Sequence, residues 1–283
     1  MIKFCEPLKN KTTFKIGGPA QVFCEPKGLE DLKSLVAMAK KEGLCVLVLG
    51  AGSNILVDDS GVNAFVLRLK SPFFRKISIK GRFLQAGSGV KLTELLRAAK
   101  NKGLGGLEFL AGIPGTVGGA LAMNAGACDS SIGQFVDRVS VFENNRVVVL
   151  KKNDIRFRYR SSGLSKFIIL SARFRLLPRQ KSEIDARMKG CLAKRRTTQD
   201  YSYPNAGCVF KNPQRDSAGR LIDMCGLKGR SLGGALISKK HANFILNKAD
   251  ASSSDIVKIM DMVKKEVHKK FKVSLKPEIK VWK

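Results

Sequence analysis

Apolar positions follow two periods along the chain, and their alternation predicts mixed helices and strands. Within residues 29–43, Leu32, Leu35, Val36 and Ala39 fall at i, i+3, i+4 and i+7, which predicts a helix that stops at Gly43. Residues 46–49 form a short apolar run leading straight into Gly50-Ala51-Gly52-Ser53-Asn54, a strand ending in a tight turn. Further strand-like pieces lie at residues 65–69, 77–79 and 83–86. Leu92, Leu95, Leu96 and Ala99 then repeat the helical spacing up to Gly103. Residues 139–142 and 147–150 flank Glu143-Asn144-Asn145-Arg146, which predicts a hairpin, and residues 167–176 read as a buried strand.

The chain turns polar around residues 178–182, where a domain boundary is expected. Beyond it, residues 184–196 predict a helix. A last helix is expected to start at the cap Ser252-Ser253-Ser254-Asp255, with Ile256, Ile259, Met260, Val263 and Val267 on one face. Lys264, Lys265, Lys269 and Lys270 lie toward its end, where positive charge complements the helix dipole. The tail from Pro277 to Trp282 is strand-like. Helices and strands without a steady βαβ alternation predict α+β domains.

Two glycine turns carry the candidate chemistry. In Gly50-Ala51-Gly52-Ser53-Asn54, small residues let backbone amides approach a ligand, and successive N–H groups can cup an anion. The sixth position of a dinucleotide fingerprint is filled by Ile55, and no Gly-Lys-Ser/Thr follows, so neither a Rossmann turn nor a nucleoside-triphosphate loop is indicated. The second turn is Gly112-Ile113-Pro114-Gly115-Thr116-Val117-Gly118-Gly119, followed by Met123-Asn124-Ala125-Gly126. Each glycine weakens a helix by roughly 1 kcal/mol, which argues against a packed strand or a stable helix here and for close backbone approach to a diphosphate. Two such turns favour a nucleotide cofactor.

Composition narrows the class. The chain has 283 residues, 44% hydrophobic and 27% charged, with no apolar run long enough to span a bilayer and no secretory signal at its start. A cytoplasmic protein without membrane insertion is expected. Seven scattered cysteines, two histidines and no ligand spacing predict neither a disulfide framework nor a metal site. The net charge of +29 is spread out, with 30 basic against 14 acidic residues in 1–183 and 22 against 9 in 184–283. Such an excess admits a nucleic-acid binder or a surface that gathers anionic ligands. No zinc finger, basic region with heptads or aromatic ladder supports the former, so no nucleic-acid partner is expected.

A set of motifs in fixed order makes the reading specific. Thr13-Phe-Lys-Ile-Gly-Gly18, the two glycine turns, Phe157-Arg-Tyr-Arg-Ser-Ser162 and Pro204-Asn-Ala-Gly-Cys-Val-Phe-Lys-Asn-Pro213 are followed by Leu221-Ile-Asp223 and Gly226-Leu-Lys-Gly229. Ser238-Lys-Lys-His-Ala-Asn-Phe-Ile245 and Leu275-Lys-Pro-Glu278 complete the series. Over nearly its whole length the chain resembles the UDP-N-acetylenolpyruvoylglucosamine reductases, in the shorter type that lacks a substrate-loop insertion. The resemblance implies an FAD-binding fold of the vanillyl-alcohol-oxidase/PCMH type followed by a separate α+β substrate-binding domain. It places FAD-binding subdomains at residues 1–69 and 70–179 and a substrate domain at 184–283, with the terminal strand returning to the active site. It also implies non-covalent FAD, NADPH as hydride donor and a UDP-sugar substrate of peptidoglycan precursor synthesis. Another flavoenzyme of the same fold, such as an oxidase of small alcohols, is the alternative; no histidine precedes His241 to carry a histidyl-linked flavin.

The roles follow by matching position. Gly50, Ala51, Gly52, Ser53 and Asn54, with Gly112, Ile113, Pro114, Gly115, Thr116, Gly118, Gly119, Asn124 and Gly126, correspond to cofactor contacts. Cys208 stands where many relatives carry serine as proton donor; a thiol, with an ordinary pKa of ~8.5, is a far stronger acid than a hydroxyl. Arg160 corresponds to the arginine that holds the substrate carboxylate, and its planar fork suits bidentate contact. Glu278 corresponds to an acid that hydrogen-bonds the developing enolate. Tyr159, Lys211 and Asn212 correspond to substrate contacts, and His241 is expected to be structural. The stretch Gln199-Asp-Tyr-Ser-Tyr-Pro204 departs from the Gln-Pro-Leu that often precedes the cysteine/serine loop.

Overall fold

The computed structural model describes residues 2–283. Its longer helices are α1 (Leu29–Lys41), α2 (Leu92–Asn101), α3 (Val117–Ala122), α4 (Lys181–Thr198), α5 (Ala218–Met224) and α6 (Ser253–Phe271). Chain packing divides the protein into two compact units that interleave in sequence. One is built chiefly from Phe23–Ala51 and Phe65–Arg195, the other from Lys3–Val22, Gly52–Ala64 and Arg196–Lys283.

The first unit rests on a five-stranded antiparallel sheet in the order Arg146–Lys151, Val136–Glu143, Ile168–Arg175, Phe83–Gly87, Ile77–Lys80. The predicted hairpin is present. Its two-residue loop, Asn144-Asn145, has φ of 47° and 62°, and the left-handed pair supplies the twist that a tight hairpin needs. Alternate inward residues Val139, Val141, Ala172, Phe174, Leu84 and Ala86 form one layer, covered by Leu92, Leu95, Leu96 and Ala99 of α2 and by Val117, Ala120 and Leu121 of α3. Burial of these side chains stabilises the unit at roughly 1.5–3 kcal/mol for each large aliphatic residue.

One expectation is corrected. Helix α3 exists where glycine density argued against one. Thr116 Oγ1 caps it by accepting the Gly119 N–H, and its buried Val117, Ala120 and Leu121 offset the weak propensity of Gly118 and Gly119. Helix α4, at Lys181–Thr198, covers the helix expected over residues 184–196 and begins three residues earlier. Charge spacing accounts for it: Glu183 meets Arg179 and Arg187 four residues to either side, and Asp185 meets Lys189.

In the second unit, Ile256, Ile259, Met260, Val263 and Val267 of α6 pack with Leu221 and Ile222 of α5. The same core holds Ala235, Ile237 and Ile245 of a three-stranded sheet and takes in Phe14, Ile16, Leu56 and Ile279 from three distant segments. The start of α6 is a capping box: Ser252 Oγ accepts the Asp255 N–H at 3.0 Å, and Asp255 Oδ2 accepts the Ser252 N–H at 3.0 Å. The terminal strand, Lys280–Trp282, lies parallel to Ile55–Val57. Buried Asn247 ties the amino-terminal segment to this core, donating to the Phe14 carbonyl at 3.0 Å and accepting the Ala251 N–H at 2.8 Å. Asn247→Ala strands both partners, so unfolding in guanidinium should show a loss of about 2–3 kcal/mol. A loss below about 0.5 kcal/mol, the range of neutral surface changes, would contradict this account.

Candidate active site

In the first unit the structure brings the start of the first glycine turn against the second. A Cβ on Gly50 would lie 2.9 Å from Thr116 Oγ1 and 4.0 Å from Gly119 Cα. The second turn is laced to the segment after Phe83–Gly87. Gly118 N–H donates to the Ser88 carbonyl and Val117 N–H to the Val90 carbonyl, each at 2.9 Å, while Leu92 N–H donates to the Gly115 carbonyl at 3.1 Å. Among the described residues, the N–H groups of Gly50, Ala51, Gly115 and Thr116 donate none of the hydrogen bonds. Four such donors suit an anionic group, so the turns fit the diphosphate of a dinucleotide.

The glycines themselves divide by what surrounds them. Gly52 belongs to the second unit and has φ of +67°; a Cβ there would lie 2.2 Å from the Lys11 carbonyl oxygen. At Gly118 a Cβ would lie 2.9 Å from Ser88 Cβ. Both positions are small because protein packs against them. At exposed Gly119, by contrast, the nearest atom to a Cβ would be Thr116 Oγ1 at 3.6 Å. At Gly112, with φ of +78°, the neighbours are Arg195 and Leu192 of α4.

Asn124 is 6% exposed and joins three pieces. Its Nδ2 donates to the Arg158 carbonyl at 2.9 Å, and its Oδ1 accepts the Gly133 N–H at 3.0 Å. Arg158 and Ser161 exchange backbone hydrogen bonds at 2.8 and 3.1 Å, which closes a tight turn with Tyr159 and Arg160 at its tip. Arg160 takes φ of +50°, and its guanidinium sits 5.1 Å over the exposed Tyr159 ring. Ser162, 1% exposed, anchors the turn by donating to the Ala122 carbonyl at the end of α3. Gly126 begins a short ribbon, Gly126–Ala127 paired with Ser130–Ser131. Ser88 went unremarked in the sequence; a Gly87-Ser88-Gly89 turn directly after a strand is its signal.

In the second unit, the segment carrying Cys208 is paired along both edges. On one, Glu278 N–H donates to the Val209 carbonyl at 2.7 Å and Lys211 N–H to the Lys276 carbonyl at 2.9 Å. On the other, Cys208 bridges to Phe244, and Val209 N–H donates to the Asn243 carbonyl at 2.9 Å. Cys208 and Glu278 thus lie on neighbouring hydrogen-bonded segments, both half-buried. Asn54 joins them: its Nδ2 donates to the Glu278 carbonyl, and its own carbonyl accepts the Lys280 N–H at 2.9 Å. Lys211 follows on the same segment. Asn212 Oδ1 accepts the Ala218 N–H at 3.1 Å, which gives it a capping role at α5.

The divergent stretch before Cys208 folds around Asp200. Its Oδ1 accepts from the Ser202 N–H and hydroxyl, and its Oδ2 accepts from Ser238 Oγ at 2.5 Å. Burial opposes ionisation of this carboxyl, but the hydrogen bonds from Ser202 and Ser238 prevail and hold it below the usual range. Ser238 Oγ accepts in turn from the N–H groups of Lys240 and His241, both at 3.0 Å. His241 is engaged within the protein. Its Nδ1 accepts the Asn243 N–H at 3.3 Å, its ring meets Phe244, and burial pushes its pKa below the ordinary 6.5. Among the described residues no helix is long and apolar enough to cross a membrane.

Residues 20–150 match the FAD binding domain family, and residues 199–282 match the family described as UDP-N-acetylenolpyruvoylglucosamine reductase, C-terminal domain. The two together define an FAD-binding reductase of α+β architecture. The UDP-N-acetylenolpyruvoylglucosamine reductase 2 of Symbiobacterium thermophilum is 43% identical over 99% of this chain and 92% of its own length. The reductase of Moorella thermoacetica is 41% identical over 98% and 92%. The crystal structure of the UDP-N-acetylenolpyruvylglucosamine reductase from Thermus caldophilus superposes with a TM-score of 0.87 at 36% identity, covering 100% of this chain and 98% of that one. The chain belongs to the UDP-N-acetylenolpyruvoylglucosamine reductase family.

Two measurements test this site. Gly52→Ala should lower the melting temperature of flavin-stripped protein by several degrees, whereas Gly119→Ala should leave it within about 2 °C; equal melting would show that Gly52 is not packed as described. Because folding lowers the His241 pKa, its neutral form contributes stability that is present above pH 6.5 and lost as pH falls through the folded value. The His241 ring resonances should therefore titrate below 6.5; a midpoint above it would reverse the sign.

Proposed function

We propose that this chain reduces the enolpyruvyl ether of UDP-N-acetylglucosamine to the lactyl ether of UDP-N-acetylmuramate, using FAD and NADPH, in the peptidoglycan precursor pathway of the cytoplasm. The observation that carries the reading is the pairing of the Cys208 segment with the segment of Glu278, in a chain related to these reductases over nearly its full length. FAD, when bound, supplies hydride transfer to the vinyl carbon of the substrate.

The chain's own residues supply binding, charge and the proton. The N–H groups of Gly50, Ala51, Gly115 and Thr116 hold the cofactor diphosphate, with Ser53, Asn54, Gly112, Ile113, Pro114, Gly118, Gly119, Asn124 and Gly126 shaping the turns around it. Arg160 holds the substrate carboxylate. Its turn is braced by Asn124 and Ser162, so the guanidinium is presented without a large ordering cost. Negative charge builds on the carbon beside that carboxylate, and Glu278, in its protonated form, stabilises it by donating a hydrogen bond. The Cys208 thiol donates the proton that completes the lactyl ether. Lys211, Asn212 and Tyr159 contact the UDP-sugar.

The half-reactions separate these roles. Flavin reduction by NADPH needs no proton from Cys208, so Cys208→Ala should bleach the flavin at close to the wild-type rate in stopped-flow absorbance. Reoxidation by the enolpyruvyl substrate should slow by ~10²–10⁴-fold, the usual worth of a positioned general acid. Cys208→Ser should recover part of that loss. Equal slowing of both halves would mark Cys208 as structural, and no slowing of either would remove it from the mechanism.

A further inference from the structure

The segment that carries Cys208 has a gap in its backbone pairing, and a side chain fills it. Phe210 is 1% exposed, so its N–H and carbonyl both need partners inside the protein. On the edge facing residues 243–244, the Val209 N–H donates to the Asn243 carbonyl, and the cross-strand bridge lies at Cys208 and Phe244. The carboxamide of Asn243 takes over there. Its Oδ1 accepts the Phe210 N–H at 2.9 Å, and its Nδ2 donates to the Phe210 carbonyl at 2.8 Å. A carboxamide offers one acceptor and two donors, so it reproduces the pair of bonds that a peptide group on an adjacent strand would make.

Asn243 is 2% exposed, and its position is itself held from behind. Its N–H donates to His241 Nδ1, and the His241 N–H donates to Ser238 Oγ, which in turn donates to Asp200. A chain of hydrogen bonds thus runs from the divergent Asp200 stretch to the backbone two residues beyond Cys208. The opposite edge of the same segment is bonded to Lys276 and Glu278.

We infer that Asn243 is a positioning residue for the Cys208 thiol: its buried carboxamide completes the backbone pairing that fixes where the Cys208 segment lies against the Glu278 segment. This rests on the reading of Cys208 as proton donor. Displacement of a reacting group by about 1 Å can cost ~10²-fold in rate, so loss of the Phe210 bonds should weaken proton delivery without touching steps that need no proton from the thiol.

The test is a double-mutant cycle on FAD-loaded enzyme, with Asn243→Ala, Cys208→Ala and the double variant followed by stopped-flow flavin absorbance. Asn243→Ala should be reduced by NADPH within about twofold of wild type and reoxidised by the enolpyruvyl substrate ~10–100-fold more slowly. The double variant should be no slower than Cys208→Ala alone, because a residue acting through the thiol has nothing left to position. Multiplied rate losses, equal slowing of both half-reactions, or unchanged reoxidation in Asn243→Ala would each overturn the inference. Wild-type reoxidation by Cys208→Ala would overturn the assignment of the donor instead. Should Asn243→Ala fail to hold FAD, Asn243→Asp, which keeps the acceptor for the Phe210 N–H, enters the same cycle. Failure of both to fold would make Asn243 a general stabiliser and overturn a role specific to the thiol.

Discussion

Backbone meets backbone in this protein with no room for a side chain between. A Cβ on Gly18 would lie 2.1 Å from the Asp59 carbonyl oxygen, as close as the one that Gly52 excludes at Lys11. These approaches hold residues 8–18 against residues 52–61, and the same arrangement lets Gly18 N–H donate to the Asp58 carbonyl and Thr13 N–H to the Gly52 carbonyl. Asn54, which touches the Glu278 segment, sits directly after one of these contacts. The placement of the Glu278 segment therefore depends on a steric condition met more than two hundred residues away in sequence, near Thr13. Hydrogen bonds and packing elaborate the arrangement, but the absence of a methyl group permits it.

Much of the fold was legible because local signals and burial agree. The helical spacing of Leu92, Leu95, Leu96 and Ala99, the hairpin around Asn144-Asn145 and the Ser252 cap each specify one conformation, and the structure adopts it. Helix α3 was not legible, because its glycines contradict the helix and its stabilisation comes from tertiary burial of Val117, Ala120 and Leu121. The interleaving of residues 3–22 and 52–64 with the carboxy-terminal part was equally hidden, since no periodicity records which distant segment a strand will join.

For the site, motif order pointed to Cys208, Arg160 and Glu278, but not to what supports them. Asn124, Ser162 and Asn243 stand inside the motifs, but the sequence does not show what their side chains brace. They matter because each is buried with both ends of its side chain, or its single hydroxyl, engaged by backbone. The reason for small residues was only partly legible. Glycine says that something comes close, and whether that is a ligand or the protein itself is decided by the fold.

The parallel pairing of Lys280–Trp282 with Ile55–Val57 has a consequence for how the molecule is made. The two strands are separated by more than two hundred residues of chain, so their pairing closes a very long loop. The Glu278 N–H bond to the Val209 carbonyl lies directly before the same long-range pairing in the chain. Contacts of such long sequence separation are slow to form and leave unpaired strand edges exposed in the meantime.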